Sequence, residues 1–458
     1  MTIKHIVNGV ILILLLSGCS SLPAIKDDKA IGHIISIGRD GELEEIKKDQ
    51  KIRLDPGEEN IEKKADFYDQ VLTGIRNYPK NANGEIEVLI YVHGGLNTKK
   101  NSLKRAQEKY KAIKYAGVEN KYPIFVNWRS GPITTYSSHL ARIRQGEVSN
   151  TAWLTSPVYL LTDIANSLVN VPKSWLVNGE HAIKSAVFRD DDYLENYRDA
   201  KNGVFYTGSE EGFTTWGRNL QWLVTAPAKL VSTPFTYTVA RPAWDVMLRR
   251  TNTPFYTPND LQNKSHDIEP ADNPGSGALY RFLTTLDNEI STKNLPVKVT
   301  LVGHSMGAIV VNKILSLDLD IPYKNIIHMA SADSISNMFE HVIPYVSEHP
   351  DTKFYSLSLH PENEDREISA KGLTPSGSLL VWIDNMFTTP ETVMDKRSGR
   401  WENMNRVIPL IPDEAKNRMH FKIFGLNDSK EKGGYVIEPQ THGDFGDMKF
   451  WTKSTWWK

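Results

Sequence analysis

The strand-like segment Val297-Lys298-Val299-Thr300-Leu301-Val302 stops at Gly303-His304-Ser305-Met306-Gly307, and a helical apolar pattern starts at Ala308. A short run of this kind, bounded by glycine, reads as a buried strand. Strand, tight turn and helix in direct succession constrain the chain to a parallel α/β architecture. The turn lifts one serine oxygen above the strand end, and the small residues beside it let strand and helix approach.

The same alternation recurs along the chain. Strands are predicted at 34–37, 88–92, 123–128, 325–330, 354–359 and 420–424. Helices are predicted at 60–76, 102–115 and 308–317, and Leu279, Phe282, Leu283, Leu286 and Ile290 form one further helix face. Arg39–Glu42 and Asn81–Gly84 read as turns. From Gln145 to Pro274 the alternation stops. Aromatic, proline-interrupted segments replace it at Trp153–Leu168, Trp216–Leu230 and Phe235–Leu248, so 145–274 reads as a large, helical cap insertion. The core is then expected in two parts, 31–144 and 275–458.

The N-terminus carries a different signal. Ile6 to Leu16 is apolar and follows Lys4 and His5. It is too short for a bilayer span of about 20 residues and has the length of a secretory signal. It ends in Leu16-Ser17-Gly18-Cys19, which resembles the bacterial lipobox. The resemblance implies cleavage of 1–18, lipidation of Cys19 and a tether at 19–30. Ser20 after the cysteine resembles outer-membrane sorting, so a lipid-anchored place on the periplasmic face of a bacterial envelope is expected. Cys19 is the only cysteine, so no disulfide forms within the chain.

Composition closes other routes. Lys+Arg number 54 against 55 Asp+Glu, a formal net charge of -1, so the chain lacks the basic excess of a nucleic-acid binder. A Cys-based zinc site cannot form, no His-Glu-x-x-His occurs, and no phosphate-binding glycine loop follows a strand. No metal or cofactor is expected.

The chemistry is expected to centre on Ser305. An oxyanion formed beside it needs backbone N–H donors already in place. Met306 would supply one, and Gly95, or failing that Leu96, the other, in His93-Gly94-Gly95 at the end of an upstream strand. If the elbow follows the order of nucleophile, acid and histidine, the base comes after the nucleophile in the chain. Of His328, His341, His349, His360, His420 and His442, only His442 lies in a loop beyond the last strand, in Thr441-His442-Gly443-Asp444-Phe445. The acid should follow the strand at 354–359, where His360-Pro361-Glu362-Asn363-Glu364-Asp365-Arg366-Glu367 is crowded with carboxylates. Glu364 is preferred, with Glu362 and Asp365 as alternatives and Asp333 as an outside candidate. His360 reads as structural.

With these residues in view, segments 86–144 and 275–450 resemble an α/β-hydrolase core. More narrowly, they resemble bacterial hydrolase-like proteins in which a His-Gly strand end precedes a Gly-His-Ser-Met-Gly elbow and a late His-Gly-x-Phe carries the base. The resemblance implies a serine hydrolase of the carboxylesterase or lipase-like kind. The anchor and cap residues Trp153, Trp175, Trp216, Trp222 and Trp244 tilt the expected substrate towards a lipid or other acyl ester. The alternative is an envelope lipoprotein that uses the scaffold for interaction without catalysis. Arg241–Arg250 reads either as a substrate-lining helix or as a packed helix whose arginines meet core carboxylates.

Overall fold

Val88, Leu89, Ile90, Tyr91 and Val92 are all buried, on both faces of strand β2 (Ile86–Val92). Only a parallel strand covered by helices on both sides accommodates such a run. The computed structural model describes residues 28–44, 46, 59–116, 121–144, 146–169, 172, 204–207, 238–263, 276–367, 377–425 and 435–452. The expectations for residues 1–27, Cys19 included, and for 216–230, Trp175, Trp216 and Trp222 lie outside the described residues.

The strands are β1 (Ile34–Ser36), β2, β3 (Lys121–Asn127), β4 (Ile143–Arg144), β5 (Glu147–Val148), β6 (Val204–Thr207), β7 (Val297–His304), β8 (Tyr323–Met329), β9 (Lys353–Leu359) and β10 (Met419–Phe424). Eight of them form one sheet in the order β1-β3-β2-β7-β8-β9-β10-β6. Every pairing in it is parallel. The α/β class with a mostly parallel sheet, expected from the alternation, is therefore present. The register sets Val92 beside Gly303 and His304 beside Met329, so the carboxyl ends of β2, β7 and β8 finish side by side. Ligand sites in open parallel sheets form at such ends.

Helices cover the sheet. Tyr68, Val71, Leu72 and Ile75 are the buried face of α1 (Glu59–Arg76). Helix α2 (Lys99–Ala116) follows β2. Among the described residues, the helical layer after β3 holds α3 (Pro132–Ala141), α4 (Ala152–Val169) and α5 (238–252). Helix α6 (Ala278–Lys293) buries Leu279, Phe282, Leu283 and Leu286, and Asn294 ends it in the left-handed region. Helix α7 (Gly307–Leu315) is apolar almost all round and buried almost all round.

The insertion differs from expectation in one respect. The sequence assigns no sheet strand to 145–274, yet β6 adds to the sheet beside β10, and the β4–β5 ribbon turns the chain at Gly146. Val204-Phe205-Tyr206-Thr207 has strand-favouring residues, but four positions are too few for periodicity to identify. Trp153–Leu168 is helical as expected, within α4, and the segment up to Leu248 is helical from residue 238.

Two carboxylates on the loop after β1 clasp the helical layer to the core. Asp40 accepts from Arg142 at 2.7 Å and from Arg249 at 3.0 Å. Glu44 pairs with Lys99 and with Arg129. Arg250 donates to the Arg129 carbonyl and to Ser138 Oγ, both at 2.9 Å. The arginines of 241–250 thus follow the packed-helix reading at Arg249. No helix among the described residues is long and apolar enough to cross a membrane.

Candidate active site

Ser305 sits in the turn between β7 and α7 with φ at 53°, in the left-handed region that a non-glycine side chain rarely adopts. Surrounding backbone fixes that conformation. The Ser305 N–H donates to the Met329 carbonyl at 2.9 Å, and the Ser305 carbonyl accepts from Ala308 at 3.0 Å and Ala332 at 3.1 Å. Two glycines make the turn possible through close approach. A Cβ on Gly303 would lie 2.7 Å from Ala308 Cα, and one on Gly307 would lie 2.2 Å from the Val92 carbonyl oxygen. The strained serine is therefore over-determined by its neighbours, the usual condition for strain to persist at a functional position.

Ser305 Oγ is 2.9 Å from His442 Nε2. The two residues are 137 positions apart in sequence. Both are buried, at 1 % and 7 % exposure. Burial drives the His442 pKa down to about 4. The imidazole is therefore neutral near pH 7, the state in which Nε2 can take a proton from the hydroxyl.

Four contacts hold the loop that carries His442. Thr441 and Asp444 form a capping box at the start of the short 3₁₀ segment His442–Asp447. The His442 N–H donates to Glu367 Oε2 at 2.8 Å. The His442 carbonyl lies 3.2 Å from His304 Nε2, which makes that nitrogen the N–H donor. Lys109 donates to the Gly446 carbonyl. Burial, reinforced by His442, pushes the His304 pKa well below the usual histidine range.

The loop after β2 is held with comparable care. His93 Nδ1 lies 2.7 Å from the Gly94 carbonyl, and its Nε2 accepts the Trp128 N–H at 3.2 Å. Asn97 Nδ2 donates to both the Gly94 and Gly95 carbonyls, at 3.1 and 3.2 Å. A trans peptide is planar, so pinning the Gly94 carbonyl also fixes the opposed direction of the Gly95 N–H. The Gly95 and Met306 amides donate to no acceptor among the described residues. Their residues adjoin, since a Cβ on Gly95 would lie 2.7 Å from Met306 Sδ. Helix α5 reaches the same place, with Met247 Sδ 3.7 Å from that position.

The carboxylates of 360–367 are distributed differently from the sequence expectation. Glu364 is buried, and one oxygen accepts from Ser378 Oγ. Among the described residues its other oxygen, Oε1, has no partner, and neither has His442 Nδ1. No hydrogen bond or ion pair joins Glu364 to His442. Burial lifts the Glu364 pKa to about 8, against the pull of Arg400. Asp365 pairs with Arg400 at 3.2 Å, and Glu362 donates its N–H to His360 Nδ1. Asp333 spends its oxygens on Asn312 and Asn337 at 2.7 Å and on the Ser334 N–H at 2.8 Å. It braces the loop after β8 and makes no contact with His442. The carboxylate that does reach His442, at its main chain, is Glu367.

Ser305, His442, Met306 and Gly95 are thus assembled around the ends of β2 and β7. Glu364 is buried on Ser378 without engaging the base ring, and Glu362 and Asp365 are engaged elsewhere. His304, Asn97 and Glu367 are positioning residues that the sequence does not single out, although each lies within or beside a motif segment. Of the other histidines, His328 is buried against Phe354, and burial takes its pKa down to about 3. His349 Nδ1 bonds to the Tyr345 carbonyl at 2.8 Å, and His360 caps the helical turn Pro361–Arg366. Among the described residues no cluster of His, Cys, Asp or Glu is arranged to hold a metal ion. The chain matches no protein-family model, no curated protein and no solved structure.

Proposed function

We propose that the chain is a serine hydrolase with an α/β-hydrolase core, a cap at 145–274, and a membrane anchor at Cys19. The carrying observation is the 2.9 Å contact between Ser305 Oγ and His442 Nε2, at a serine held in the left-handed region. A surface serine–histidine contact needs no strained backbone; an activated nucleophile at the top of a parallel sheet does.

In this reading Ser305 Oγ attacks the carbonyl carbon of an ester while Nε2 of His442 takes the hydroxyl proton. The amides of Met306 and Gly95 meet the oxyanion. His442 then gives the proton to the leaving alkoxide. Water, deprotonated by His442, releases the acyl group from Ser305. Glu364 is the acid of the proposal. Its unpartnered Oε1 and the unpartnered Nδ1 of His442 are the two buried atoms that a completed triad would join. Catalytic hydrogen bonds often tighten only when substrate is bound. The substrate class is a carboxylic ester, with a lipid or other acyl chain favoured by the proposed anchor.

One observation favours a second reading. The unengaged Nδ1 of His442 suits a hydrolase scaffold kept for interaction in the envelope, without turnover. Turnover of p-nitrophenyl esters of increasing acyl length separates the two. The hydrolase reading expects hydrolysis that disappears in Ser305→Ala and His442→Ala. Equal rates in wild type and Ser305→Ala would support the scaffold.

A further inference from the structure

We infer that helix α4 is a lipid-docking face, lying in the plane of a membrane surface with its outward stripe among the acyl chains. The helix is amphipathic in the inverse sense to a surface helix of a water-soluble domain. Trp153, Leu154, Val158, Leu161, Leu168 and Val169 are 58–77 % exposed, while the buried positions are Ala152, Asp163 and Ser167. Leu154, Val158, Leu161, Ala165 and Leu168 follow the i, i+4, i+7, i+11, i+14 spacing of one helix stripe.

Asp163 and Ser167 face the protein, while Thr155, Thr162 and Asn166 are exposed beside the apolar stripe. Asp163 accepts from Tyr136 OH at 3.1 Å and lies 3.2 Å from His139 Nε2, both on α3. Tyr159 and Leu160 pack against the buried Tyr136, Leu140 and Ala243. The orientation of α4 is therefore fixed by contacts on its inner side, and its outer side is uncharged, an apolar stripe flanked by Thr155, Thr162 and Asn166. Asp163 is the only charged residue between Thr151 and Val169, and it is buried. Soluble surfaces carry charge at about 25–35 % of positions. A stripe free of charge, about 22 Å long at 1.5 Å per residue, with a tryptophan at one end, suits the boundary between headgroups and acyl chains.

The N-terminus points to lipid as the occupant. Residues 1–27 end at Asp28, ahead of edge strand β1. The stretch from Cys19 to Asp28 reaches about 30 Å when extended, more than the roughly 23 Å length of a seven-residue strand. A chain tethered at Cys19 can therefore bring either end of its sheet to the bilayer. The loop after β1 is clasped to the end of α3 through Asp40 and Arg142, and α3 carries α4. The choice of lipid as occupant rests on the anchored reading; the exposed stripe itself does not.

The test uses the full chain, acylated at Cys19, with vesicles of phosphatidylethanolamine and phosphatidylglycerol carrying brominated acyl chains. Bromine quenches tryptophan emission only at close range. The expected result is a quenched component present in wild type, lost in Trp153→Phe, and lost in Leu161→Asp while labelling of Ser305 in that variant is unchanged. Flotation of the vesicles reports the anchor separately. Protein that floats without a Trp153 component overturns the docking face and leaves the anchor standing. Protein that neither floats nor quenches overturns both. Shielding of Trp153 from acrylamide before vesicles are added also overturns the inference, because a second copy or another segment of the chain then covers the stripe.

Discussion

Glu367 accepts the backbone N–H of His442 at 2.8 Å, so the carboxylate in contact with the base holds its main chain and leaves its ring alone. Position and electronic tuning of the base are thereby divided between different residues. Glu367, His304 and the Thr441–Asp444 box fix where the ring stands, while burial alone sets its low pKa.

The pH dependence follows from that burial. His442 titrates near 4 in the folded chain. An unperturbed histidine titrates near 6.5. The base is therefore already neutral at pH 5. Labelling of Ser305 by a fluorophosphonate should rise as Glu364 ionises near pH 8, hold steady between about pH 7 and 5, and fall by half again near pH 4. Half-loss near pH 6.5 would mean an exposed base.

Stability has a related acid limb. His93 and His442 titrate near 4 and His328 near 3, all depressed by burial. The unfolded chain binds these protons first, so stability present above about pH 6.5 is lost as pH falls towards the folded-state values. A melting temperature that declines between pH 6.5 and 4 is expected. His328→Phe should flatten part of that decline, since this ring makes no hydrogen bond in the core.

Glu364 has the opposite sign. Its folded-state pKa is raised to about 8, so the folded chain holds a proton that the unfolded chain releases above about 4.5. Stability from this group falls as pH rises from 4.5 through 8. Glu364→Gln should melt higher than wild type at pH 9 and about equally at pH 4.5. Compared at pH 9, where the wild-type carboxyl is ionised, the same variant should label at Ser305 more slowly by about 10²-fold or more, because the acid that orients the base is worth up to about 10⁴ in related arrangements. Wild-type labelling in Glu364→Gln would remove Glu364 from the mechanism and leave a Ser305–His442 dyad.

The elbow glycines can be separated from an ordinary one. Gly307→Ala places a methyl group 2.2 Å from the Val92 carbonyl oxygen, between two elements that cannot part without opening the sheet. A loss of about 3 kcal/mol or more is expected in urea unfolding. Gly84, unlike Gly307, has a positive φ, of 77°, but nothing lies within 4 Å of its Cβ position. Gly84→Ala should cost only about 1 kcal/mol, the backbone penalty alone.

The clasp at Asp40 should be worth more than a surface pair. Both Asp40 and Arg249 are buried, at 4 % and 9 % exposure. Removing one partner of a buried pair leaves an uncompensated charge and costs about 3–5 kcal/mol. Asp40→Ala should lower the melting temperature and speed proteolysis within 145–274, and Arg249→Met on top of it should recover part of the loss.

Much of the fold is legible in the sequence because its strands are buried on both faces. Val88–Val92 is a continuous apolar run, Val297–Val302 is interrupted only by Lys298 and Thr300, and glycines stand close to both strand ends, at Gly94 and Gly303. The strand β6 escapes notice because it is short and lies at a sheet edge, where packing imposes no pattern. Ser305 and His442 are legible because the elbow and the chain order are local or ordinal features. The acid is less so. Four carboxylates within Glu362–Glu367 are equivalent in sequence, and only three-dimensional partners such as Ser378, Arg400 and the His442 N–H distinguish them. The inverted polarity of α4 is also hidden, because periodicity gives a stripe without saying which side of the helix meets the protein.

The most direct test is the intact mass of the chain after reaction with a fluorophosphonate at pH 7, followed by peptide mapping. The account predicts one adduct per chain, on Ser305, formed in wild type, absent in Ser305→Ala and slowed by at least about 10³-fold in His442→Ala. A folded wild-type chain that takes up no probe, or carries it on another residue, would contradict the assignment of Ser305 as an activated nucleophile.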